Sequence, residues 1–239
     1  MRAGMLRVAF QGELGAYGEA AVRSYFGESA DPIPSVDFPS VTSSVEFGAV
    51  DYGVLPVENS IVGRVEAAIL ALGRGRVRIV GGVEVAIEHC LLAMPGTDLE
   101  GIRRAESHPI ALAQCSAFFS DHAQITAVSS YDTAGAAAEV ARAGDPARAA
   151  IAGAAAAGRY GLQILATGIA DRSDNRTRFL IIAPRSIAAK GGRTSAAPSA
   201  AMPVSTPLPK CSEEWLTAVL RVVRKPARRI IALLPEISV

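Results

Sequence analysis

The stretch D-N-R-T-R-F-L-I-I, residues 174–182, joins a polar start to an apolar end. Its last four residues, 179–182, form an apolar run that is typical of a strand buried in a sheet. Asn175, Thr177 and Arg178 stand where that strand begins. Because open α/β sheets bind their ligands at strand ends, this stretch predicts an anion-binding site at the start of the strand.

Short apolar strands alternate with helices up to about residue 185, which predicts an α/β fold with parallel strand pairing. The predicted strands are residues 6–10, 52–57, 77–85, 90–93, 125–128, 149–152 and 178–182. The predicted helices are residues 17–26, 40–48, 59–72, 109–119, 133–142 and 154–161.

Composition excludes several classes of protein. Charged residues are 20% of the 239 and the formal net charge is +1, so no basic field indicates nucleic acid. The apolar stretches are broken well short of the roughly 20 residues of a membrane span, and residues 1–10 lead directly into a strand without a signal-peptide core. Three cysteines and three histidines show no metal-ligand or disulfide spacing. We expect a cytoplasmic protein that binds no metal and no nucleic acid and does not associate with a membrane.

Four strand ends are followed by small polar residues and then by a helix. Asn59 or Ser60 is suited to cap the helix after one of them, and Pro109 takes the favoured first helical position after another. Helix N-termini present free N–H groups and a positive dipole end, which attract anions. Each turn alone is explained by ordinary capping. Four turns with an arginine-bearing strand end favour a cleft for a small molecule that carries a carboxylate.

Four side chains near these strand ends each have two interpretations. Thr177 and Arg178 adjoin on a strand, so their side chains point to opposite faces unless a bulge turns both towards the cleft. The guanidinium of Arg178 offers a planar fork for a carboxylate, or it is a surface residue at a strand start. His108 is an acid or base, or a capping or core residue. Glu58 is a catalyst, or a buried partner of an arginine.

Seven stretches, in order, resemble the prephenate dehydratase family, including the closely similar arogenate dehydratases. They cover roughly residues 5 to 185. They are V-A-F-Q-G-E-L-G-A-Y-G-E-A-A (8–21), D-Y-G-V-L-P-V-E-N-S-I-V-G (51–63), H-C-L-L-A-M-P-G (89–96), S-H-P-I-A-L-A-Q-C (107–115), D-T-A-G-A-A (132–137), Y-G-L-Q-I-L (160–165) and N-R-T-R-F (175–179).

The resemblance implies an α/β catalytic region, residues 1–185, with two lobes like those of a periplasmic binding protein and the substrate in the cleft between them. The first lobe would comprise residues 1–78 and 166–185, and the second lobe residues 79–165.

The resemblance also implies a lyase that converts prephenate to phenylpyruvate in phenylalanine biosynthesis. Prephenate loses carbon dioxide and its ring hydroxyl together, and aromatisation of the ring drives the reaction, so no cofactor is expected. Thr177 would be the catalytic residue, its hydroxyl donating to the leaving oxygen. The substrate-binding residues would be Arg178, Asn59, Ser60, Ser107, His108, Thr133, Gly15, Ala16, Tyr17, Glu58, Asn175 and Phe179.

Three alternatives stay open at this stage. Arogenate, which carries an amine in place of the pyruvyl keto group, is a second substrate within the family. A non-catalytic small-molecule binding protein on the same fold is a different class, although it would have no need of the N-x-T-R-F stretch. The chain is monomeric or forms a homo-oligomer.

The tail, residues 186–239, differs from the rest of the chain. Residues 188–209 are rich in Ala, Pro, Ser and Gly without periodicity, as linkers are. The family usually carries a C-terminal ACT domain that binds phenylalanine, and its Gly-Leu-Tyr turn and Glu-Ser-Arg-Pro run are absent from residues 196–239. We therefore expect a disordered or frameshifted remnant of an ACT domain, and the loss of phenylalanine regulation.

We infer that the reading frame of this tail is shifted near residues 194–195. Shifting the back-translated residues 202–218 by one nucleotide permits A-G-L-Y-A-A-A-E-V-F-G-G-V-A-D-R, which resembles the family's ACT helix. The nucleotide sequence is the test: a one-base change near codon 195 should open a frame that encodes an ACT-like domain. No such frame, or strong inhibition of the purified chain by phenylalanine, would contradict the shift.

Overall fold

The computed structural model describes residues 5–185, and the predictions for the tail lie outside the described residues. The strands are β1 Leu6–Gln11, β2 Ala30–Ser35, β3 Tyr52–Asn59, β4 Gly63–Arg64, β5 Val77–Ala86, β6 Cys90–Ala93, β7 Arg104–Ser107, β8 Thr126–Ser129, β9 Arg148–Ala152, β10 Gln163–Ala166 and β11 Arg176–Pro184. The helices are α1 Tyr17–Phe26, α2 Phe38–Glu46, α3 Glu66–Arg74, α4 Pro109–Ala113, α5 Ser116–Asp121, α6 Thr133–Ala143 and α7 Ala154–Tyr160, with a 3-10 turn at Gly27–Ser29. Within residues 5–185, no helix has the length and apolarity that crossing a bilayer requires.

Two sheets confirm the predicted two-lobed α/β fold. The first has the order β2-β1-β3-β11-β5, with β4 paired to β3, and the second has the order β10-β6-β9-β7-β8. Pairing is mixed rather than purely parallel. Strand β11 returns from the second lobe and inserts antiparallel between β3 and β5, while β6 runs antiparallel to both β9 and β10.

The boundary between the lobes lies later than predicted. Strand β5 pairs with β11 over its whole length, from Val77 opposite Pro184 to Ala86 opposite Arg176. Residues 79–86, which we assigned to the second lobe, therefore belong to the first sheet. The lobes are joined by two connecting segments, residues 87–89 and 167–175.

The helix predicted over residues 59–72 begins seven residues later, at Glu66. Asn59 ends β3, and the chain turns back through Gly63, at φ +86°, so that β4 pairs with β3. The Asn59 side chain accepts from the backbone N–H groups of Ile61 and Val62, both at 2.9 Å, and so stabilises this turn. Val65 occupies the N-cap of α3 without a side-chain cap, so neither Asn59 nor Ser60 caps a helix.

Other elements also differ from the predicted ones, and strands β2, β4, β7 and β10 were not predicted. The helix predicted over residues 109–119 is two short helices, α4 and α5, separated at Gln114 and Cys115. Strand β2 was missed because its sequence, A-D-P-I-P-S, contains two prolines. Proline is tolerated at a sheet edge, where one side of the strand needs no hydrogen-bond partners, and β2 is the edge strand next to β1.

One hydrophobic core extends across both lobes. It joins Phe10, Val54 and Ile181 of the first sheet to Leu92 and Ala150 of the second. The alanine-rich helices α6 and α7 contribute further buried residues to the same core, because small side chains let the two sheets approach closely. The cleft therefore lies between lobes that are packed together.

Replacing Ile181 with Ala tests this shared core. Ile181 is 0% exposed, so the cavity should cost about 2–5 kcal/mol of unfolding free energy, measured with urea on the full chain. The matched control is Ile164→Ala in β10, where the side chain is 42% exposed and the expected loss is below about 1 kcal/mol. Equal losses in the two variants would contradict a core centred between the sheets.

Candidate active site

A cavity of about 430 Å³ opens between the lobes, at the predicted strand ends. A recess of about 140 Å³ adjoins it and shares Gln11, Tyr17 and Thr133 among its lining residues. This volume suits a small organic molecule. Apolar side chains such as Val62 and Ile110 form much of the wall.

The structure brings seven predicted site residues to this cleft. They come from the ends of β3, β7 and β11 and the beginnings of α1 and α6, as the strand-end pattern predicted. Tyr17, Asn59, His108, Thr133 and Thr177 line the main cavity, and Ala16 and Phe179 line the recess with Tyr17 and Thr133.

Arg178 and Glu58 are not among the residues that line the cleft in the described part of the chain. Arg178 lies opposite Glu58 on β3 and Glu84 on β5, so all three side chains share one face of the sheet. Its guanidinium donates to Glu58 at 2.8 Å and lies 3.6 Å from Glu84. The register shift with β3 falls after Arg178, so it does not turn this side chain towards Thr177's face.

Three other predicted residues, Ser60, Ser107 and Gly15, position the backbone around the cleft. The Ser60 hydroxyl bonds Asp174 O and Arg176 N, which ties the β3–β4 turn to the second connecting segment. The Ser107 hydroxyl donates to Ile151 O at 2.6 Å and is fully buried.

Gly15 adopts a φ of +92°, and a Cβ there would lie 3.0 Å from the backbone of Ala156. This glycine therefore allows the turn before α1 to approach α7. Its N–H donates to Glu19 at 2.7 Å rather than facing the cleft as a free donor.

Thr177 occupies the floor of the cleft with only 8% of its surface exposed. It lies opposite Asn59 in the β3–β11 register, and Asn59 Nδ2 donates to its hydroxyl oxygen at 2.9 Å. The Asn59 amide cannot be reversed, because its oxygen already accepts from Ile61 and Val62. The Thr177 oxygen is therefore an acceptor from Asn59, and its own hydrogen remains for an acceptor in the cleft.

A chain of polar side chains continues from Asn59 beneath the cleft. Asn175 is 2% exposed; its oxygen accepts from Asn59 at 2.7 Å and its Nδ2 donates to Gln114 Oε1 at 3.2 Å. His89 Nε2 lies 2.9 Å from the same Gln114 oxygen, and His89 Nδ1 lies 3.0 Å from the Tyr17 hydroxyl. We call these six residues, which run from Thr177 to Tyr17, the floor network.

His89 and Gln114 were not predicted as site residues, although both line the cavity. Both residues lie inside stretches that carry the family resemblance, and this position in the sequence could have identified them as site residues. Burial lowers the pKa of His89, so its ring is neutral at physiological pH. Burial likewise raises the pKa of Tyr17, which keeps its hydroxyl protonated.

Groups of both charge signs line the wall around this floor, since Asp132 and Glu66 line the cavity with Arg64. Asp132 caps α6 by accepting from Gly135 N at 2.8 Å, and Thr133 in the first turn of α6 lines the cavity beside it. Arg64 lines the cleft beside Glu66, with its Nε 3.2 Å from that carboxylate and its side chain 45% exposed. His108 caps α4 through Ile110 N at 3.2 Å.

The sequence family described as prephenate dehydratase matches residues 8–187. The chain belongs to the prephenate dehydratase family. It is 44% identical to arogenate dehydratase 1 of Petunia hybrida over 184 residues, which are 77% of this chain and 43% of that protein. The chain thus spans less than half the length of this curated relative.

Two solved structures share the fold of this member of the family. The prephenate dehydratase of Arthrobacter aurescens, solved in complex with L-Phe, is 31% identical with a TM-score of 0.70, over 79% of this chain and 63% of that one. GqqA, described as a novel type of quorum quenching acylase, is 34% identical with a TM-score of 0.70, over 77% of this chain and 66% of that one.

Proposed function

We propose that this protein is a lyase of phenylalanine biosynthesis that removes carbon dioxide and hydroxide from prephenate to give phenylpyruvate. The observation that carries the proposal is the hydroxyl of Thr177 on the cleft floor, whose oxygen accepts from Asn59 and whose hydrogen is left for a ligand. Membership of the prephenate dehydratase family and the geometry of the cleft support the same reaction.

The proposed reaction requires that the substrate is bound in one orientation and that one group donates a hydrogen bond to the leaving oxygen. The bond between the ring and its carboxylate breaks, its electron pair enters the ring, and the bond to the ring hydroxyl breaks at the opposite carbon. Carbon dioxide and hydroxide leave, and the ring becomes aromatic. Thr177 donates a hydrogen bond to the departing oxygen as negative charge develops there, and the burial of Thr177 strengthens that bond. Threonine transfers no proton, since its hydroxyl is too weak an acid.

The two carboxylates of the substrate would be held by the wall. We place one carboxylate at Arg64, the cation that lines the cavity, and the other at the first turn of α6 around Thr133, whose remaining N–H groups attract an anion beside the capping carboxylate of Asp132. The half-exposed Arg64 side chain can turn from Glu66 towards a ligand. This assignment replaces Arg178, whose guanidinium is engaged by two carboxylates on the other face of the sheet.

Arogenate is the second candidate substrate, and the pairing of Arg64 with Glu66 favours it. The amino-acid group of arogenate carries a carboxylate and an ammonium, which match an arginine and a glutamate 3.2 Å apart. The pyruvyl group of prephenate has a carboxylate for Arg64 but no ammonium for Glu66, so Glu66 would face no cation of the substrate. The Petunia relative bears the name arogenate dehydratase.

An acylase reaction is suggested by the name of GqqA, but Thr177 is not arranged to be its nucleophile. Amide hydrolysis requires a nucleophile or water activated by a base. The group placed against the Thr177 oxygen is the Asn59 amide nitrogen, which donates and cannot remove a proton. In a non-catalytic binding protein, the Thr177 hydrogen that points to the cleft would have no leaving group to stabilise.

Turnover of both substrates tests the proposed function. The purified full chain should form phenylpyruvate from prephenate, followed by its absorbance, or phenylalanine from arogenate, followed by chromatography. The ratio of the two kcat/KM values assigns the substrate. Binding of both compounds without turnover would establish a binding protein and overturn the lyase.

Replacing Thr177 with Val keeps the shape of the side chain and removes its hydroxyl. We expect kcat to fall by about two orders of magnitude with KM nearly unchanged, because the lost hydrogen bond strengthens only in the transition state. The matched control is Thr42→Val, which removes the bond from another buried threonine to Pro39 O, at 2.9 Å, outside the cleft. Near-normal turnover of Thr177→Val would refute the role of Thr177.

Replacing Arg64 with Gln tests the position of the carboxylate. We expect KM to rise about tenfold with kcat little changed, since a charge-assisted hydrogen bond to the substrate is lost. Arg178→Gln is the comparison variant, and it should lower stability more than it changes KM. A larger rise of KM in Arg178→Gln would place the carboxylate at Arg178, as the family resemblance implied.

A further inference from the structure

We propose that Gln114 and His89 of the second lobe are positioning residues, which orient the catalytic hydroxyl of Thr177 through Asn175 and Asn59. The inference rests on the proposed function, because it assigns Thr177 as the donor to the leaving oxygen. Each hydrogen bond of the floor network has a fixed donor and acceptor, because backbone N–H groups fix the orientation of the Asn59 amide at its start.

The fixed point of the network is the β3–β4 turn. Two backbone N–H groups, of Ile61 and Val62, donate to Asn59 Oδ1, so the Asn59 amide has one permitted orientation. Its nitrogen faces Asn175 at 2.7 Å and Thr177 at 2.9 Å, with the Arg176 carbonyl farther away at 3.2 Å. The Asn175 atom that faces Asn59 must accept and is therefore the oxygen, which turns the Asn175 nitrogen towards Gln114.

The orientations in the second half of the network follow from those in the first half. The Gln114 atom that faces Asn175 must accept and is therefore Oε1. His89 Nε2 contacts that same oxygen at 2.9 Å, so Nε2 carries a hydrogen. A neutral His89 ring then has a bare Nδ1, 3.0 Å from the Tyr17 hydroxyl, whose one hydrogen is donated to Glu88 O at 2.7 Å.

The network joins the lobes where their relative position is set. Asn175 lies in the second connecting segment, and its backbone oxygen accepts from Ile87 N in the first connecting segment at 2.9 Å. His89 O accepts from Ile169 N at 3.1 Å, and Gln114 O accepts from Asp171 N at 2.7 Å. The side chains that orient Thr177 are thus attached to both connecting segments.

Each member needs the next one because Asn175 and His89, in the middle of the network, are only 2% exposed. Without an acceptor at Gln114, the Asn175 amide could reverse and present its nitrogen to Asn59 Nδ2. Two donors would then face each other, Asn59 would withdraw, and the Thr177 hydroxyl would rotate to use the vacated direction. The loss would appear in turnover, since the groups that hold the substrate carboxylates are elsewhere on the wall.

Gln114→Met is the first variant to compare with the wild-type chain. We expect kcat to fall about tenfold or more with KM changed less than about threefold. The matched control is Gln163→Met, which removes a second-lobe glutamine that accepts from Gly96 N and donates to Thr97 O outside the cleft. Equal kcat values in the two variants would overturn the proposal.

Gln114→Glu is the conservative variant that tests rescue. A carboxylate supplies the acceptor that Asn175 and His89 both require, so kcat should return to within about threefold of wild type. KM should rise, because the added charge repels a dicarboxylate. A kcat as low as that of Gln114→Met would show that the acceptor is not what matters.

The tautomer of His89 gives a readout that does not depend on turnover or on folding of a variant. Nitrogen-15 NMR of the wild-type chain should show a protonated Nε2 and a bare Nδ1 at neutral pH. A ring protonated on Nδ1 alone would overturn the proposal even if the lyase activity is found. Absence of turnover on either substrate with the Nε2 tautomer present would instead refute the proposed function and keep the assigned network.

Discussion

The antiparallel insertion of β11 between β3 and β5 is the constraint on which the site depends. It sets Thr177 directly opposite Asn59, and it places Arg178 between Glu58 and Glu84 on the other face. A slip of one residue would exchange these two faces, bury the arginine beneath the cleft and expose the threonine. That slip is costly at the polar start of the strand, because Arg178 would lose Glu58 and Glu84, whereas residues 179–183 are buried on both faces and do not by themselves fix the register.

A buried polar network is costly unless its members are hydrogen-bonded, and in the floor network the amides of Asn59, Asn175 and Gln114 each pair a donor with an acceptor. Its orientation begins at the two backbone N–H groups that bind Asn59, so the fold sets the direction of the hydrogen bonds. The alanine-rich core beside it packs the two sheets together and holds Gln114 and His89 within reach of Asn175. The packing of the shared core and the hydrogen bonds of the floor network thus support the same relative position of the two lobes.

Much of the fold and part of the site could be predicted from the sequence. The apolar runs gave most strands, and the strand ends brought Thr177, His108 and Thr133 to one cleft. Periodicity misplaced the start of α3, because the β3–β4 hairpin is stabilised by a side-chain bond from Asn59 that leaves no periodic signal. The ion pairs of Arg178 depend on which strands become neighbours, and a single strand's pattern does not reveal its neighbours.

The most direct test of the central claim is a crystal structure of the full chain with a reduced-ring analogue of prephenate, which keeps both carboxylates and the ring hydroxyl but cannot aromatise. The ring oxygen should lie about 3 Å from the Thr177 hydroxyl, with one carboxylate at Arg64 and the other at the first turn of α6. A ring oxygen beyond hydrogen-bonding distance of Thr177, with the analogue bound in the cleft, would contradict the assignment of Thr177 as the donor to the leaving group.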